Sequence, residues 1–344
     1  MRAILLSASL SLVLSLVGTP LIIRFFRMRG YGQLIRDDGP QTHHVKRGTP
    51  TMGGAAVILA GVTGYLVATL TLGPELSPGG LLAIGVFAGM GLVGFIDDYL
   101  KIRRNRNLGL SKTAKFLGQA VVAVAFALGA QYVAETSTVL SWIGTTGIDF
   151  GVLFPLFCFV ILSATSNAVN LTDGLDGLAA GTSALIFGSY VVIAFWIFRH
   201  PQSYALEAVL HADALAIAAS AAAGAVLGFL WWNAPPAKIF MGDTGSLGIG
   251  GMLAALAVLT ETELLLIILG GLYVIITLSV ILQVASFRLL GRRIFKMAPL
   301  QHHFELSGWQ ETTIIVRFWI IGGLSTAFAM GLFYADFLRY RGVE

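Results

Sequence analysis

The sequence contains few charged residues and only one cysteine. Asp, Glu, Lys and Arg make up 12% of its 344 residues, whereas soluble domains carry about 25%. Hydrophobic residues make up 56% and the mean hydropathy is +0.81. These values exclude a soluble globular domain and place most of the chain in lipid. Cys158 lies in an apolar run, which excludes a disulfide framework and a thiolate metal site.

Long apolar runs predict ten membrane-spanning helices. About 20 apolar residues are needed to cross the hydrocarbon layer. The predicted spans are 3–23, 50–72, 80–99, 113–134, 150–167, 177–198, 212–232, 246–260, 263–288 and 312–336. The eighth is short and rich in glycine, so its boundary with the ninth is the least marked. Without an internal repeat or a low-complexity linker, the chain is predicted to form a single all-α integral membrane domain over residues 1–344.

The basic residues predict the orientation of these spans. Eighteen of the 22 Lys and Arg residues lie in or beside the connections that follow odd-numbered spans. Such residues accumulate on the cytoplasmic side of a membrane protein. Both termini are therefore predicted outside and the five odd-numbered connections in the cytoplasm. Basic residues beside membrane spans also account for the pI near 9.3, so it does not indicate nucleic-acid binding.

Acidic residues form clusters on the predicted cytoplasmic side. The stretch Asn167-Ala-Val-Asn-Leu-Thr-Asp-Gly-Leu-Asp-Gly177 joins the fifth and sixth spans. Asp173 and Asp176 would share one face if Asp173 begins a helix, and Asn170 would then lie upstream, where helix caps occur. Carboxylates at a bilayer edge are unfavourable unless they serve a metal, a substrate or a partner. A polar loop with a capping aspartate is the alternative for this stretch alone.

A pair of aspartates closes the third span in Gly94-Phe-Ile-Asp-Asp-Tyr-Leu-Lys101. The dipole at a helix C-terminus disfavours acids, so Asp97 and Asp98 require another explanation. Adjacent helical residues point in different directions, so one can bind a metal while the other meets a second substrate. Lys101, one turn further on, could belong to this site or could be an ordinary basic residue at a helix end.

The loop after the seventh span contains Asp243 in Gly-Asp-Thr-Gly-Ser. This aspartate could bind a metal or simply cap the eighth helix. Phe240, three residues earlier, could stack on a planar base or pack against protein. The first connection offers Lys46 before a Gly48-Thr-Pro-Thr-Met-Gly-Gly turn, an arrangement that can bind phosphate, although it is not a Walker A motif.

The last connection, Met297 to Glu311, contains His302 and His303. Without a His-x-x-x-His pair, an oxygen-rich set of residues favours Mg²⁺ over zinc, and hydrogen bonding to phosphate is the predicted role of the histidines. The combined motifs predict an enzyme that catalyses Mg²⁺-assisted displacement at phosphorus. An ion-coupled transporter is the alternative, but transporters place such acids near the midplane, often in two matching halves.

With these motifs, the chain resembles the polyprenyl-phosphate N-acetylhexosamine-1-phosphate transferases. Within them it is similar to the MraY group, the phospho-N-acetylmuramoyl-pentapeptide transferases. The resemblance runs from Asp37 to Glu311. The Gly-Thr-Pro-Thr-Met-Gly-Gly turn and the Met-Ala-Pro-Leu-Gln-His-His-Phe-Glu segment separate this group from its relatives. A related polyprenyl-phosphate GlcNAc-1-phosphate transferase is the alternative within the superfamily.

The resemblance implies transfer of phospho-MurNAc-pentapeptide from its UDP carrier to undecaprenyl phosphate, giving lipid I and UMP in the first membrane step of peptidoglycan synthesis. It implies a homodimer in the bacterial inner membrane with a cytoplasmic active site. It also implies Mg²⁺ at Asp243, with Asp97 and Asp98 facing the lipid phosphate.

Other residues match positions of the family's pocket. The resemblance assigns contacts with the uridine moiety or its phosphates to Lys46, Asn170, Asp173, Asp176, Phe240 and Gln283. Thr51, Asn167, Asn233, His302 and His303 match other polar positions of the pocket. Many members carry a histidine where this chain has Gln301, and glutamine cannot become cationic.

Overall fold

The computed structural model describes residues 1–29, 48–73, 75–104 and 109–340. The α-helices in these residues are α1 (Arg2–Met28), α2 (Gly54–Leu72), α3 (Pro78–Arg103), α4 (Lys112–Tyr132), α5 (Phe154–Thr172), α6 (Leu178–Arg199), α7 (Leu206–Val209), α8 (Ala212–Asn233), α9 (Gly242–Leu259), α10 (Glu263–Leu269), α11 (Gly271–Leu290), α12 (Leu300–Glu305) and α13 (Glu311–Tyr340). Two antiparallel strands, β1 (Val139–Ser141) and β2 (Thr145–Asp149), lie between α4 and α5.

The ten predicted spans are confirmed, since the described residues contain ten helices that are long and apolar enough to cross a membrane. The ninth differs in detail, because the segment predicted as one span at 263–288 is divided into α10 and α11. The backbone of Gly270 leaves the helical region at this point (φ −89°, ψ 22°). Two consecutive glycines, Gly270 and Gly271, are weak helix formers, which explains the division.

The β-hairpin is an addition to the predicted all-α architecture. Val139 pairs with Asp149, and Ser141 pairs with Thr145. The segment is rich in threonine and β-branched apolar residues, which favour strands, and Gly147 has a positive φ of 79°. The described part of the chain is therefore mostly helical, with one short sheet at the membrane end opposite the acidic motifs.

Helices α8 and α9 form the most deeply buried part of the bundle. Helix α1 packs against α8 in parallel. Residues near the start of α1 contact the first part of α8, and residues later in α1 contact the end of α8. Ser7 Oγ donates a hydrogen bond to the carbonyl of Ile217 (3.1 Å), and Trp232 Nε1 donates to the carbonyl of Leu16 (2.8 Å). Close packing and interhelical hydrogen bonds are the main forces that associate helices in lipid.

Glycines allow the start of α9 to approach α2 and α3 closely. A Cβ atom placed on Gly94 of α3 would lie 2.1 Å from the carbonyl oxygen of Asp243. A Cβ atom on Gly54 of α2 would lie 2.0 Å from the backbone nitrogen of Gly245. Because both neighbours are backbone atoms, neither can move aside without shifting a helix. These contacts fix the position of Asp243 relative to Asp97 and Asp98.

We expect Gly94→Ala to lower the free energy of unfolding by about 1–3 kcal/mol, the usual effect of inserting a methyl group into a packed interior. Gly85→Ala is the matched control, since nothing lies within 4 Å of a Cβ atom at this position of the same helix. Thermal unfolding of both variants in detergent measures the difference. Equal unfolding temperatures would show that α3 and α9 can separate freely.

Candidate active site

Three aspartates from two helices come together at one end of the bundle. Asp97 and Asp98 lie on α3, and Asp243 lies in the first turn of α9. One carboxylate oxygen from each residue lies within 4.8 Å of the other two. Asp97 and Asp98 are buried, whereas Asp243 is half-buried. We call these three residues the acidic cluster.

Hydrogen bonds fix the acidic cluster to the helices around it. Asp98 Oδ2 accepts hydrogen bonds from the backbone nitrogen of Thr244 (2.9 Å) and from Thr244 Oγ1 (2.8 Å). Asp97 Oδ1 accepts from the backbone nitrogen of Leu110 (2.9 Å), just before α4. Asp98 thus joins α3 to the start of α9, and Asp97 joins α3 to the start of α4.

Asp243 does not cap α9, contrary to one of the two alternatives left by the sequence. The N-cap residue of α9 is Met241, without a side-chain cap. The Asp243 carboxylate instead accepts a hydrogen bond from Asn170 Nδ2 at 2.6 Å. Its place in the first turn is favourable because the helix dipole stabilises negative charge there. Asp243 is thereby directed toward α3 and α5 rather than toward its own backbone.

Two lysines neutralise much of the charge of the acidic cluster. Lys101 Nζ lies 2.6 Å from Asp97 Oδ2, 3.3 Å from Asp98 Oδ1 and 2.8 Å from Asp243 Oδ2. Lys115 Nζ lies 2.7 Å from Asp243 Oδ2. The Lys101 ammonium group therefore occupies the space between the three carboxylates, which is where a divalent cation would bind.

The contribution of these lysines is not evident from the motifs of the sequence. Lys101 was equally consistent with a basic helix end, and Lys115 was not singled out. A usable signal was present, since Lys115 lies in the first turn of α4, where the helix dipole disfavours a cation. An unfavourably placed charge predicts a nearby partner of opposite sign, as with the two aspartates of α3.

Asp173 and Asp176 lie in a turn between two helices, so the condition for a shared helix face is not met. Asp173 follows the end of α5, and α6 begins only at Leu178, so the two aspartates do not share a helix face. Gly177, with a positive φ of 77°, separates the two helices. Asp176 Oδ2 accepts a hydrogen bond from the backbone nitrogen of Ala237 (2.9 Å). Asp176 therefore holds the loop between α8 and α9 against this turn.

The electrostatic environment of Asp173 shows that this turn lies near the acidic cluster. Burial raises the pKa of Asp173 well above its usual value, and the charges of Asp243, Asp98 and Asp176 raise it further. A hydrogen bond from the backbone of Gly242 opposes these effects. The Asp173 carboxyl therefore retains a proton more readily than an exposed aspartate, and in that form it can donate a hydrogen bond.

The three asparagines that were predicted to line the substrate pocket have different hydrogen-bond partners. Asn170 Nδ2 contacts Ser246 Oγ (2.8 Å) as well as Asp243, so it is directly attached to the cluster. Asn233 accepts a hydrogen bond from the backbone nitrogen of Gly177 (3.1 Å) and donates one to the carbonyl of Ile239 (3.0 Å). Asn167 Nδ2 donates to a carbonyl one turn earlier in α5. Asn233 thus positions loops, whereas Asn170 positions Asp243.

The turn before α2 pairs with the loop before α9. The backbone nitrogen of Phe240 donates to the carbonyl of Pro50 (2.8 Å), and the nitrogen of Gly53 donates to the carbonyl of Phe240 (2.9 Å). Thr51 is brought close to Asp98, since a Cβ atom on Gly242 would lie 3.1 Å from Thr51 Oγ1 and 2.6 Å from Asp98 Oδ2. The Phe240 side chain is half-buried. The predicted phosphate contact Lys46 lies outside the described residues.

Two residues of α12 contact the turn between α5 and α6. His302 Nδ1 lies 2.6 Å from Glu305 Oε2, and His302 Nε2 lies beside Gly174, 3.0 Å from a Cβ atom placed there. Gln301 Nε2 donates to the carbonyl of Leu171 (2.9 Å). His302 and Gln301 therefore adjoin the turn that contains Asp173.

His303 and Gln283 both hold the loop that precedes α12. His303 Nδ1 accepts a hydrogen bond from the backbone nitrogen of Lys296 (3.1 Å). Gln283 Oε1 accepts from the backbone nitrogens of Ile294 (3.0 Å) and Phe295 (2.9 Å), and its Nε2 donates to the carbonyl of Phe295 (2.9 Å). Their predicted contacts with substrate stay predictions, since in this structure both side chains bind protein backbone.

The fold and this site together define an integral membrane enzyme with a carboxylate-rich centre at one end of its helices. The model of the family described as glycosyl transferase family 4 matches residues 81–261. A phospho-N-acetylmuramoyl-pentapeptide-transferase of Frankia casuarinae is 54% identical over 99% of this chain and all of the relative. Proteins of the same name are 51% identical in Kocuria rhizophila (99% of this chain, 97% of the relative) and 52% identical in Streptomyces coelicolor (97% and 98%). The chain belongs to glycosyl transferase family 4 and, within it, to the phospho-N-acetylmuramoyl-pentapeptide transferases.

Proposed function

We propose that this enzyme transfers phospho-MurNAc-pentapeptide from its UDP carrier to undecaprenyl phosphate, forming lipid I and releasing UMP. The observation that carries this proposal is the acidic cluster, whose carboxylate oxygens lie within 4.8 Å of one another at the ends of apolar helices. A soluble nucleotide and a membrane-embedded phosphate can both reach such a position. The reaction is a displacement at phosphorus, for which positioning and charge neutralisation supply most of the catalysis.

The acidic cluster has the donor set that Mg²⁺ prefers. All of its ligand atoms are carboxylate oxygens, and hard divalent cations select oxygen ligands. Asp243 is the proposed principal ligand, and Asp97 and Asp98 lie close enough to share the ion. When bound, Mg²⁺ would neutralise charge on the pyrophosphate and stabilise the transition state.

Two lysines, Lys101 and Lys115, are suited to binding the phosphates of the donor. Lys101 is bound to all three carboxylates in this structure, but its side chain retains 32% exposure, so it can turn toward a substrate. Lys115 contacts one oxygen of Asp243. In the proposed complex, both ammonium groups contact the pyrophosphate while the carboxylates hold the ion.

A general base contributes little to activation of the acceptor. A phosphate monoester has a second pKa of about 6, so undecaprenyl phosphate is mostly deprotonated at neutral pH. One oxygen of Asp98 already accepts two hydrogen bonds from Thr244. We therefore assign Asp98 the positioning of α9 and of the acceptor rather than proton abstraction.

The uridine end of the donor is proposed to lie along the loop before α9. Phe240 is half-buried in this loop and supplies a ring for stacking. Asp173 and Asn170 lie at its base and offer hydrogen bonds. Asp176 and Asn233 support this pocket by holding the loop in place.

Replacement of Phe240 by alanine is expected to raise KM for the donor by roughly 5- to 150-fold, which corresponds to the 1–3 kcal/mol typical of base–aromatic stacking. Phe240→Trp is the matched control, since it retains a ring and should keep KM near the wild-type value. Steady-state kinetics at saturating acceptor measure both. An unchanged donor KM in a folded alanine variant would assign this ring to packing alone.

UMP release with different donors tests the proposed function. Purified protein with Mg²⁺ and undecaprenyl phosphate is expected to release UMP from UDP-MurNAc-pentapeptide, and to do so only when the acceptor is present. Comparable release from UDP-GlcNAc would transfer the assignment to the related GlcNAc-1-phosphate transferases. Release without acceptor would indicate hydrolysis instead of transfer.

The distribution of basic residues supports a cytoplasmic active site in the bacterial inner membrane. The helix ends that carry the acidic cluster are those with the excess of Lys and Arg, and this excess marks the cytoplasmic side. The protein is proposed to act as a homodimer, as the resemblance implies. Cross-linking in native membranes tests this association.

A further inference from the structure

A second feature of the membrane face that carries Asp243 is a groove between α1 and α8. It has a volume of about 480 Å³ and is lined by apolar residues of α1 from Leu16 to Leu21, by Arg24, and by Trp231 and Trp232 of α8. None of its lining residues forms a contact of the acidic cluster described above. The groove opens toward lipid, since Trp231 retains 74% exposure.

A proline in α1 determines how the groove is built. Pro20 lacks a backbone N–H group, so the carbonyl of Leu16 loses its partner within the helix. Trp232 Nε1 donates a hydrogen bond to this carbonyl at 2.8 Å. An unpaired carbonyl is strongly unfavourable in lipid, so this bond holds the Trp232 ring against α1. The base of the groove is therefore a fixed part of the helix packing.

One cation, Arg24, lines the groove, and a second, Lys238, contacts a ring that lines it. Arg24 lies one turn beyond Pro20 near the end of α1. Lys238 Nζ lies 5.0 Å from the centroid of the Trp232 ring. Because α1 and α8 run parallel, both cations lie on the membrane face that also carries Asp243. An apolar groove with one cation in its lining and a second beside it is complementary to an acyl chain attached to a phosphate.

We propose that this groove binds one anionic phospholipid from the surrounding leaflet. The acyl chain lies along α1 against Trp231 and Trp232, and the phosphate contacts Arg24 and Lys238. Tryptophans at a membrane interface contact lipids whatever their headgroup. A preference for anionic headgroups would therefore distinguish this groove from an ordinary lipid-facing surface. Basic groups near the membrane surface attract such headgroups.

Native mass spectrometry of the purified protein tests this proposal without using catalysis. The probes are dioleoylphosphatidylglycerol and dioleoylphosphatidylcholine, which have the same chains and differ in headgroup charge. Wild-type protein is expected to retain one phosphatidylglycerol in preference to phosphatidylcholine. Combining Arg24→Gln with Lys238→Gln should weaken phosphatidylglycerol binding by about 30-fold, from two basic groups of about 1 kcal/mol each.

Two further variants separate the contributions of charge and shape. Arg27→Gln removes an exposed charge near the same end of α1 but outside the groove lining, and it should leave the preference unchanged. Val17→Trp should displace the lipid by filling the groove while both cations remain, and Val17 is exposed enough to accept a larger side chain.

Three results would overturn the proposal. The first is equal retention of the two phospholipids by the wild-type protein. The second is a double variant that behaves like Arg27→Gln. The third is displacement of phosphatidylglycerol from the wild-type protein by an equimolar amount of undecaprenyl phosphate, because the groove would then bind the acceptor.

Discussion

Replacement of Asp243 by asparagine is expected to lower kcat by about 1,000-fold and to weaken binding of the divalent cation. The Asp243 carboxylate would supply negative charge to bind the ion, and charge stabilisation by a bound metal lowers the activation barrier by several kcal/mol. Each 1.36 kcal/mol changes the rate tenfold. Asparagine keeps the size of the side chain and can still pair with Lys115, so the fold should be retained. Transfer rate as a function of Mg²⁺ concentration measures both effects.

Asp98→Asn separates the roles of the aspartates. We expect it to lower kcat with little change in apparent Mg²⁺ affinity, because one Asp98 oxygen is committed to Thr244. Asp149→Asn, on the exposed hairpin, is the control for the same chemical change. If raising the pH from 6 to 9 restored activity to Asp98→Asn selectively, a general base role would stand and the positioning role would be wrong.

Lys101→Met is expected to produce opposite changes in metal binding and transfer. Without nucleotide, the variant should bind Mn²⁺ about tenfold more tightly, because the ammonium group no longer competes for the three carboxylates. One unit charge at 4 Å contributes about 4 kcal/mol at an effective dielectric constant of 20, and rotation of Lys101 away from the cluster recovers part of this in the wild type. Transfer should fall at least tenfold, because the donor phosphates lose a cation.

Electron paramagnetic resonance of free Mn²⁺ during titration measures the affinity directly. Lys112→Met, three residues before Lys115 on the exposed side of α4, is the matched control and should bind Mn²⁺ as the wild type does. Weaker Mn²⁺ binding by Lys101→Met would mean that this lysine organises the carboxylates rather than competing with the cation.

The membrane architecture was predictable because lipid imposes one strong requirement on the sequence. A spanning helix needs a long apolar run, and ten such runs correspond to ten helices. The division of the ninth span at Gly270 and the hairpin at 139–149 depend on local backbone preferences that a hydropathy pattern does not contain.

The acidic cluster was predictable in its members but not in its geometry. Asp97, Asp98 and Asp243 were recognised from their unfavourable positions and from their motifs. The divergence of adjacent helical residues indicated separate ligands for Asp97 and Asp98, yet both side chains contact Lys101, three and four residues later. A shared helix face for Asp173 and Asp176 required a helix that begins at Asp173, and the structure instead places Asp173 at the end of α5, because spacing alone cannot distinguish the end of one helix from the start of the next.

In the proposed mechanism, the three aspartates hold the divalent cation used for transfer. A crystal of the protein grown with Mn²⁺ and examined by anomalous scattering tests it most directly. We expect one peak bound to Asp243 and adjoining Asp97 and Asp98, with Lys101 Nζ moved away from its present position between them. A peak at the turn of Asp173 and Asp176, or a Lys101 ammonium group still bound to all three carboxylates beside an occupied metal site, would contradict it.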